Sequence, residues 1–244
     1  MIHYWFLSSF FPFFVMIKPF VDKKLVIFDM DGTLVNAVPV HNAAVLKEFK
    51  ELLNVDIDPK TTYPCYGRPI NFFMTCILDN NQLSHDDPLV DRLVKAHELN
   101  VPLFVEQAES LPNACEILEQ LSSHGFELAL ATGVSRNVME PIMKKVGLLS
   151  FFPVTSCGMD LVNGTPIKSR SELIRNALNL SLKRTQKVFE DKDILVVGDT
   201  ISDIKAAQEL GFDSLVVMNG MGKKRELKEN HPTFICKTLE DISI

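Results

Sequence analysis

The stretch LVIFDMDGT, residues 25–33, carries the strongest structural signal in this chain. Its four apolar residues predict a buried strand. Asp29 and Asp31 follow two positions apart, so they point the same way while the backbone stays extended. Gly32 then permits a sharp turn. Because open α/β sheets bind ligands at the carboxyl ends of their strands, this acidic pair is expected at a functional edge. The simpler alternative is an ordinary strand-end turn, since Asp and Gly are common turn residues.

Composition narrows the class of protein. The 244 residues suit one large domain or a core with an insert, and the net charge of −6 argues against a nucleic-acid partner. The five cysteines are odd in number and contain no C-x-x-C pair, so they favour reduced thiols and a cytoplasmic location. They are Cys65, Cys76, Cys115, Cys157 and Cys236.

Residues 1–20 form an apolar extension ahead of this strand. The part from Tyr4 to Ile17 is rich in Phe, carries no formal charge and is interrupted by Pro12. It is shorter than the roughly 20 residues of a usual membrane span, so a membrane partner is not expected. Three alternatives stay open: a non-native or disordered extension, with Met16 as the initiator, docking on the body, or membrane targeting.

Hydrophobic spacing divides the remainder into two parts. Residues 37–108 carry apolar side chains three and four positions apart, which predicts a helical insert. From residue 109 onwards strands alternate with helices, so segments 21–36 and 109–244 predict an α/β core with a parallel, Rossmann-like sheet. The predicted strands are residues 25–28, 126–131, 152–155, 194–197, 215–218 and 234–236; the predicted helices are residues 114–123, 136–145, 169–180 and 202–210.

Polar residues follow several of these strands. Asp199 and Asp203 follow the strand at 194–197, and Asp203 lies one helical turn beyond Asp199. Because carboxyl ends of parallel strands share one edge, these residues should meet Asp29. Mg²⁺ prefers hard oxygen ligands, usually carboxylates together with phosphate and water, so Asp29 and Asp199 predict a magnesium site that Asp203 could support. The alternative for Asp199 and Asp203 is a charge pair at a helix N-terminus.

Three further residues are candidates for holding phosphate. Thr132 offers a hydroxyl group, Gly133 an unobstructed backbone N–H and Lys168 a positive charge. Taken singly, Thr132 also fits a strand-end cap and Lys168 a solvated surface residue. In phosphoryl transfer, positioning and charge neutralisation supply most of the catalysis, so the combination indicates that chemistry.

The combination resembles the haloacid dehalogenase superfamily over the chain from about Lys24 to its end. The closest likeness is to the phosphoglycolate phosphatase and β-phosphoglucomutase group, which implies a helical cap at residues 37–108. The four matching motifs are Asp29-Met30-Asp31-Gly32-Thr33-Leu34, Thr132-Gly133, Lys168, and Gly198-Asp199-Thr200-Ile201-Ser202-Asp203.

The resemblance also implies residue roles. Asp29 would be the nucleophile that takes the phosphoryl group, and Asp31 would protonate the leaving oxygen and then activate water. Mg²⁺ would be held by Asp29, the backbone carbonyl of Asp31 and Asp199, with Asp203 nearby. Thr132 and Lys168 would hold the phosphate.

Some positions depart from the family pattern or carry alternatives. Asn36 stands where the family often has an acidic residue, and Ser169 or Arg170 could share the task of Lys168. His41 and Arg68 are candidates for substrate contact. The alternatives for them are a helix-surface histidine and an exposed loop charge, respectively.

The residues and the resemblance together predict a Mg²⁺-dependent phosphatase. It would act on a small phosphorylated metabolite, phosphoglycolate-like or sugar-phosphate-like, through an aspartyl-phosphate. A β-phosphoglucomutase-like phosphomutase would share the same core, and a phosphate-binding regulatory protein without turnover is the alternative from another class.

Overall fold

The computed structural model describes residues 17–66 and 70–244. Six of its strands form one parallel sheet in the order β10-β9-β8-β1-β4-β5, with helices around it, which confirms the predicted α/β class. The strands are β1 (Leu25–Phe28), β2 (Val35–Asn36), β3 (Glu109–Ser110), β4 (Glu127–Thr132), β5 (Val154–Cys157), β6 (Leu161–Val162), β7 (Thr165–Pro166), β8 (Ile194–Gly198), β9 (Asp213–Val217) and β10 (Phe234–Cys236). The helices are α1 (Val38–Leu53), α2 (Ile70–Asn80), α3 (Asp87–Asn100), α4 (Ala114–Ser123), α5 (Arg136–Lys145), α6 (Arg170–Thr185), α7 (Ile201–Leu210) and α8 (Lys224–Glu229).

Strand β1 lies inside the sheet and is buried on both faces. Val26 and Phe28 pack into the hydrophobic cluster on one side, and Leu25 and Ile27 into the cluster on the other. This explains why its sequence is uniformly apolar rather than alternating. Phe28 is paired with Leu130 of β4 and Val197 of β8, so the carboxyl ends of all three strands lie side by side.

Helices α1, α2 and α3 form a separate layer with its own hydrophobic cluster. Fully buried members of that cluster include Phe49, Met74 and Leu93. The short antiparallel pair β2–β3 connects the chain where it enters and leaves this layer, with Val35 opposite Ser110. The division into residues 37–108 and the surrounding core remains a prediction, and this strand pair falls at both of its boundaries.

The sequence placed the long elements within a few residues but missed the short ones. Helix α6 runs to Thr185 rather than residue 180, and β4 is displaced by one residue. The pairs β2–β3 and β6–β7 and the helix α8 were not predicted. Strands of two residues carry no readable periodicity.

The reduced state predicted for all five cysteines is contradicted for two of them. Cys65 and Cys76 form a disulfide, with their Cα atoms 5.7 Å apart. The short helical turn Tyr63–Cys65 packs against α2, and spacing in the sequence does not reveal this approach. Cys115, Cys157 and Cys236 are free.

Residues 1–16 of the apolar extension, which include the candidate initiator Met16, lie outside the described residues. Ile17 forms a bridge to Ile242, and Phe20 is buried with its ring against that of Phe126. In the part of the chain that the structure describes, no helix has the length and apolarity required to cross a bilayer.

Candidate active site

Three carboxylates from separate parts of the chain meet at the carboxyl edge of the sheet. Asp29 follows β1, Asp199 follows β8, and Asp203 lies in the first turn of α7. One oxygen atom of each lies within 4.8 Å of the others. All three residues are buried. The structure therefore brings Asp29 to Asp199 and Asp203, which follow it by 170 and 174 positions in the sequence.

The turn after β1 allows this approach. Gly32 has a φ of +81°, and a Cβ atom there would lie 2.3 Å from Asp199 Oδ2. Asp199 also accepts hydrogen bonds from the Thr33 hydroxyl, at 3.3 Å, and from the Met221 backbone N–H, at 2.5 Å. A side chain at position 32 would be strained and would displace the carboxylate.

Asp203 is held by the N-terminus of α7. The backbone N–H of Thr200 donates to Asp203 Oδ2 at 3.0 Å, and the Thr200 hydroxyl donates to the same oxygen at 2.7 Å. This is a capping box, in which the side chain of the third helical residue accepts a hydrogen bond from the backbone N–H of the N-cap residue. Here Asp203 is the third residue and Thr200 is the N-cap. The other oxygen of Asp203 remains directed at the site.

Mutual repulsion and burial perturb these acids. Burial raises the pKa of Asp29 to about 7; Arg170 opposes the rise, and the neighbouring Asp203 and Asp31 add to it. Burial likewise raises the pKa of Asp199 well above its usual range, with Asp29 and Asp203 contributing. A cation at this position would favour the ionised carboxylates.

Arg170 is the cation that the structure places on the cluster. Its Nη2 donates to Asp29 at 2.6 Å and its Nε to Asp203 at 2.7 Å. Burial disfavours the charged guanidinium, but Asp203 and Asp29 outweigh that effect and raise its pKa.

Lys168 is exposed and lines the same cavity, and among the described residues its ammonium group has no hydrogen-bond partner. Sequence reasoning ranked Lys168 ahead of Arg170. The signal for Arg170 is its position directly after Ser169, which caps α6.

The end of β4 supplies the candidate phosphate donors. Thr132 is buried, and its hydroxyl accepts a long hydrogen bond from the Val134 N–H at 3.4 Å. Gly133 lines the cavity and has open space where a Cβ would stand. A Cβ at Gly158 would lie 2.0 Å from the Gly133 carbonyl oxygen, so the two loops are packed backbone to backbone.

A cavity of about 770 Å³ lies between this edge of the sheet and the helical layer. Asp29, Thr132 and Arg170 line it from the sheet side, and Phe73 and Lys95 from the helices. Sites for small ligands commonly measure about 300–1,000 Å³. The acidic cluster is therefore open to a small molecule.

Asp31 faces the first helix of that layer. Its Oδ1 is buried without a hydrogen-bond partner in the described residues, and His41 Nε2 lies 3.8 Å away. His41 is itself buried, which contradicts the alternative of a helix-surface histidine. Arg68, the other candidate for substrate contact, lies outside the described residues.

The donor set fits a magnesium ion. Asp29, Asp199 and Asp203 present carboxylate oxygens, which are the hard ligands that Mg²⁺ prefers. Neither a thiol nor an imidazole belongs to this group, so softer metals have no matching ligand in it.

Comparisons with known proteins match most of the chain. Residues 26–217 match the model of the haloacid dehalogenase-like hydrolase family. A phosphoglycolate phosphatase of Vibrio parahaemolyticus is 25% identical over 227 residues, covering 91% of this chain and 95% of the relative. One of Synechococcus elongatus is 25% identical over 219 residues, covering 90% and 95%.

Solved structures show the same fold. A predicted phosphoglycolate phosphatase from Haemophilus somnus superposes with a TM-score of 0.76 at 20% identity, covering 90% of this chain and 96% of that one. CbbY from Rhodobacter sphaeroides, solved in complex with phosphate, gives 0.73 at 15% identity and covers 91% and 100%. The family match and the named relatives support a phosphoric monoester hydrolase. The chain belongs to the haloacid dehalogenase-like hydrolase family.

Proposed function

We propose that this protein hydrolyses the phosphate ester of a small metabolite, phosphoglycolate-like or sugar-phosphate-like, with Mg²⁺ and through an aspartyl-phosphate. The convergence of Asp29, Asp199 and Asp203 beside a cavity that Asp29 and Asp203 line carries this proposal. The relatives described as phosphoglycolate phosphatases support the choice of a small anionic substrate.

Asp29 is the nucleophile in this proposal. Its carboxylate attacks the phosphorus atom and the ester oxygen departs, taking a proton from Asp31. Asp31, now ionised, removes a proton from water, and the water oxygen attacks the phosphorus of the aspartyl-phosphate. This releases inorganic phosphate and restores both carboxyl groups.

Asp29, Asp199, Asp203 and the backbone carbonyl of Asp31 would hold the magnesium ion. When bound, Mg²⁺ neutralises the charge of the phosphoryl group and of the clustered carboxylates. Asp29, Asp199 and Asp203 are buried at one point of the sheet edge, where their carboxylates could bind the ion together.

The phosphoryl oxygens would be held by the Thr132 hydroxyl, the Gly133 N–H and a cationic side chain. Lys168 and Arg170 both line the cavity. Because Arg170 already contacts Asp29, it is the nearer cation to the reacting group. Lys168 would approach the phosphate from the exposed side.

Residues 37–108 would act as a cap over the cavity. Phe73 and Lys95 of this segment face the acidic cluster across it. The paired strands β2 and β3 keep its two connections adjacent, which suits a hinge. Closure would exclude water during phosphoryl transfer and open for product release.

The test is release of inorganic phosphate from phosphoglycolate, sugar phosphates and an aryl phosphate, with Mg²⁺ and after chelation. We expect turnover that requires Mg²⁺ and is abolished in D29N, since an amide cannot form the phosphoenzyme. D56N, which changes an exposed carboxylate paired with Lys50, should leave turnover intact. Turnover that survives D29N would contradict the nucleophile assignment. Isomerisation of a sugar phosphate without phosphate release would indicate a phosphomutase, and binding without turnover a regulatory protein.

A further inference from the structure

A chain of buried polar side chains runs from the interior of the helical layer to Asp31. Glu48 and His97 lie on α1 and α3, and Glu48 Oε1 is 3.0 Å from His97 Nδ1. His97 Nε2 is 2.9 Å from His41 Nδ1, and the two rings lie within 17° of parallel. His41 Nε2 is then 3.8 Å from Asp31 Oδ1.

Burial makes these contacts costly unless each atom is paired. Glu48 is 0% exposed, His97 1% and His41 5%. An unpaired buried polar group destabilises the folded protein, so a helical layer that only needed to pack would favour apolar residues here. The mechanism proposed above uses none of the three.

The protonation state of Glu48 decides which way the hydrogen bonds donate along this series of side chains. Burial raises the pKa of Glu48 to about 8, although Asn100, His41 and Lys47 oppose the rise. Burial also lowers the pKa of His97 well below its usual range. Near neutral pH the pair is therefore a carboxylic acid and a neutral imidazole, rather than an ion pair, and the Glu48 hydroxyl can donate to His97 Nδ1.

That donation fixes both tautomers. With Nδ1 accepting, His97 carries its proton on Nε2 and donates it to His41 Nδ1. His41 then carries its own proton on Nε2, the atom that faces Asp31. In the reverse direction a lone pair of His41 would face Asp31 Oδ1, an acceptor that is buried without a partner. While both rings are neutral, only the first direction offers that oxygen a donor.

We propose that Glu48 and His97 are positioning residues that, through His41, direct an N–H group at Asp31. This rests on the proposed function, in which Asp31 transfers the proton. Glu48, His97 and His41 all belong to α1 and α3. The contact between His41 and Asp31 would therefore form only while the helical layer is seated on the sheet edge. The seating of that layer would thus orient the proton-transferring carboxyl group.

The direct test is the tautomeric state of the two histidines in the intact protein, read from ¹H–¹⁵N correlations of their ring nitrogens near pH 6.5. We expect the proton on Nε2 of both His41 and His97. The E48Q variant should keep this state, because its amide N–H₂ can donate to Nδ1. A proton on Nδ1 of either ring in the wild-type protein would overturn the proposal, whether or not any variant folds.

The kinetic test compares E48Q with E48L. We expect E48Q to keep wild-type kcat and E48L to lose about tenfold in kcat, roughly the value of one hydrogen bond, with KM nearly unchanged. E51L, at an exposed site on the same helix, should behave as wild type. Wild-type kcat in E48L would overturn the proposal. Absence of turnover in the wild-type protein would instead refute the proposed function and leave the tautomers as the deciding result.

Discussion

A single guanidinium group balances two of the three clustered carboxylates. The side chain of Arg170 is 13% exposed and has both Asp29 and Asp203 within hydrogen-bonding range, so its positive charge offsets their negative charges. Breaking such a buried arrangement leaves uncompensated charge, whereas exposed ion pairs contribute little. Without bound metal, Arg170 is the cation that offsets the raised pKa of Asp29.

We expect R170A to lower the free energy of unfolding of the metal-free protein by about 3 kcal/mol, because two buried carboxyl groups lose their partner. Denaturant unfolding in the presence of a chelator measures this. R136A provides the control, since Arg136 is exposed and pairs with Asp160; its loss should be under about 1 kcal/mol. Equal losses in the two variants would show that Arg170 does not stabilise the cluster.

At this scale the placement of residues at strand ends was predictable from the sequence. Asp29, Thr132 and Asp199 were expected at one edge because a parallel sheet aligns the ends of its strands, and Asp203 was expected one helical turn beyond Asp199. The choice between Lys168 and Arg170 depends on where the first turn of α6 begins, and a shift of two residues there turns a side chain to a different face. The chain from Glu48 to Asp31 was not predicted, because helix packing rather than local spacing brings His97 to His41.

Between elements, the contact of α1 with α3 contains a buried acid. Glu48 on α1 meets His97 and Asn100 on α3, with Lys47 as its neighbour along the helix. In the unfolded chain its pKa returns to the usual value near 4.5. Between these two pKa values, folding is accompanied by uptake of a proton at Glu48. The free energy of unfolding therefore falls as the pH rises through the pKa of the folded protein.

We expect the wild-type protein to lose stability relative to E48Q as pH rises from about 4.5 to about 8, by at most about 1.4 kcal/mol per pH unit. The amide of E48Q cannot ionise, and titration of the sheet-edge acids is common to both proteins and cancels. Denaturant unfolding of both proteins at several pH values measures the difference. A difference that stays constant across this range would show that Glu48 is not held protonated by the fold.

Elements themselves were predicted in proportion to their length. Helices α4 and α5 match the predicted bounds because ten residues display a full apolar stripe. The two-residue pair β2–β3 has no such pattern, since it depends on residues 35 and 110 being brought together by everything between them. The disulfide between Cys65 and Cys76 was missed for a similar reason.

In the whole molecule, the helical layer has a hydrophobic cluster that is separate from the clusters on the two faces of the sheet. The buried apolar residues of α2 and α3 all belong to this separate cluster, whereas Val40 and Ala44 of α1 also pack into a cluster on the sheet. Segments with smaller cores open at lower free energy than central strands. The layer also forms one wall of the cavity, so a ligand there would contact both parts of the protein.

We expect backbone amides of α2 and α3 to exchange at least about tenfold faster than those of β1 and β8, as measured by hydrogen–deuterium exchange. Adding Mg²⁺ with inorganic phosphate should slow exchange in α2 and α3 and leave exchange in α4 unchanged as an internal control, since α4 contributes no residue to the lining of the cavity. Uniform exchange across the chain, with no response to the additions, would contradict a helical layer that opens and closes on its own.

The pairing of β1 has a consequence for how this protein is made. Leu25 pairs with Glu127 and Ile194. Strand β1 is therefore synthesised well before the two strands with which it forms hydrogen bonds. Until then, four consecutive apolar residues have no neighbouring strand to satisfy their backbone. Such segments adhere to other nascent chains, and long-range pairing of this kind is slow. Production in the cell should therefore depend on chaperones that shield the first strand while translation continues.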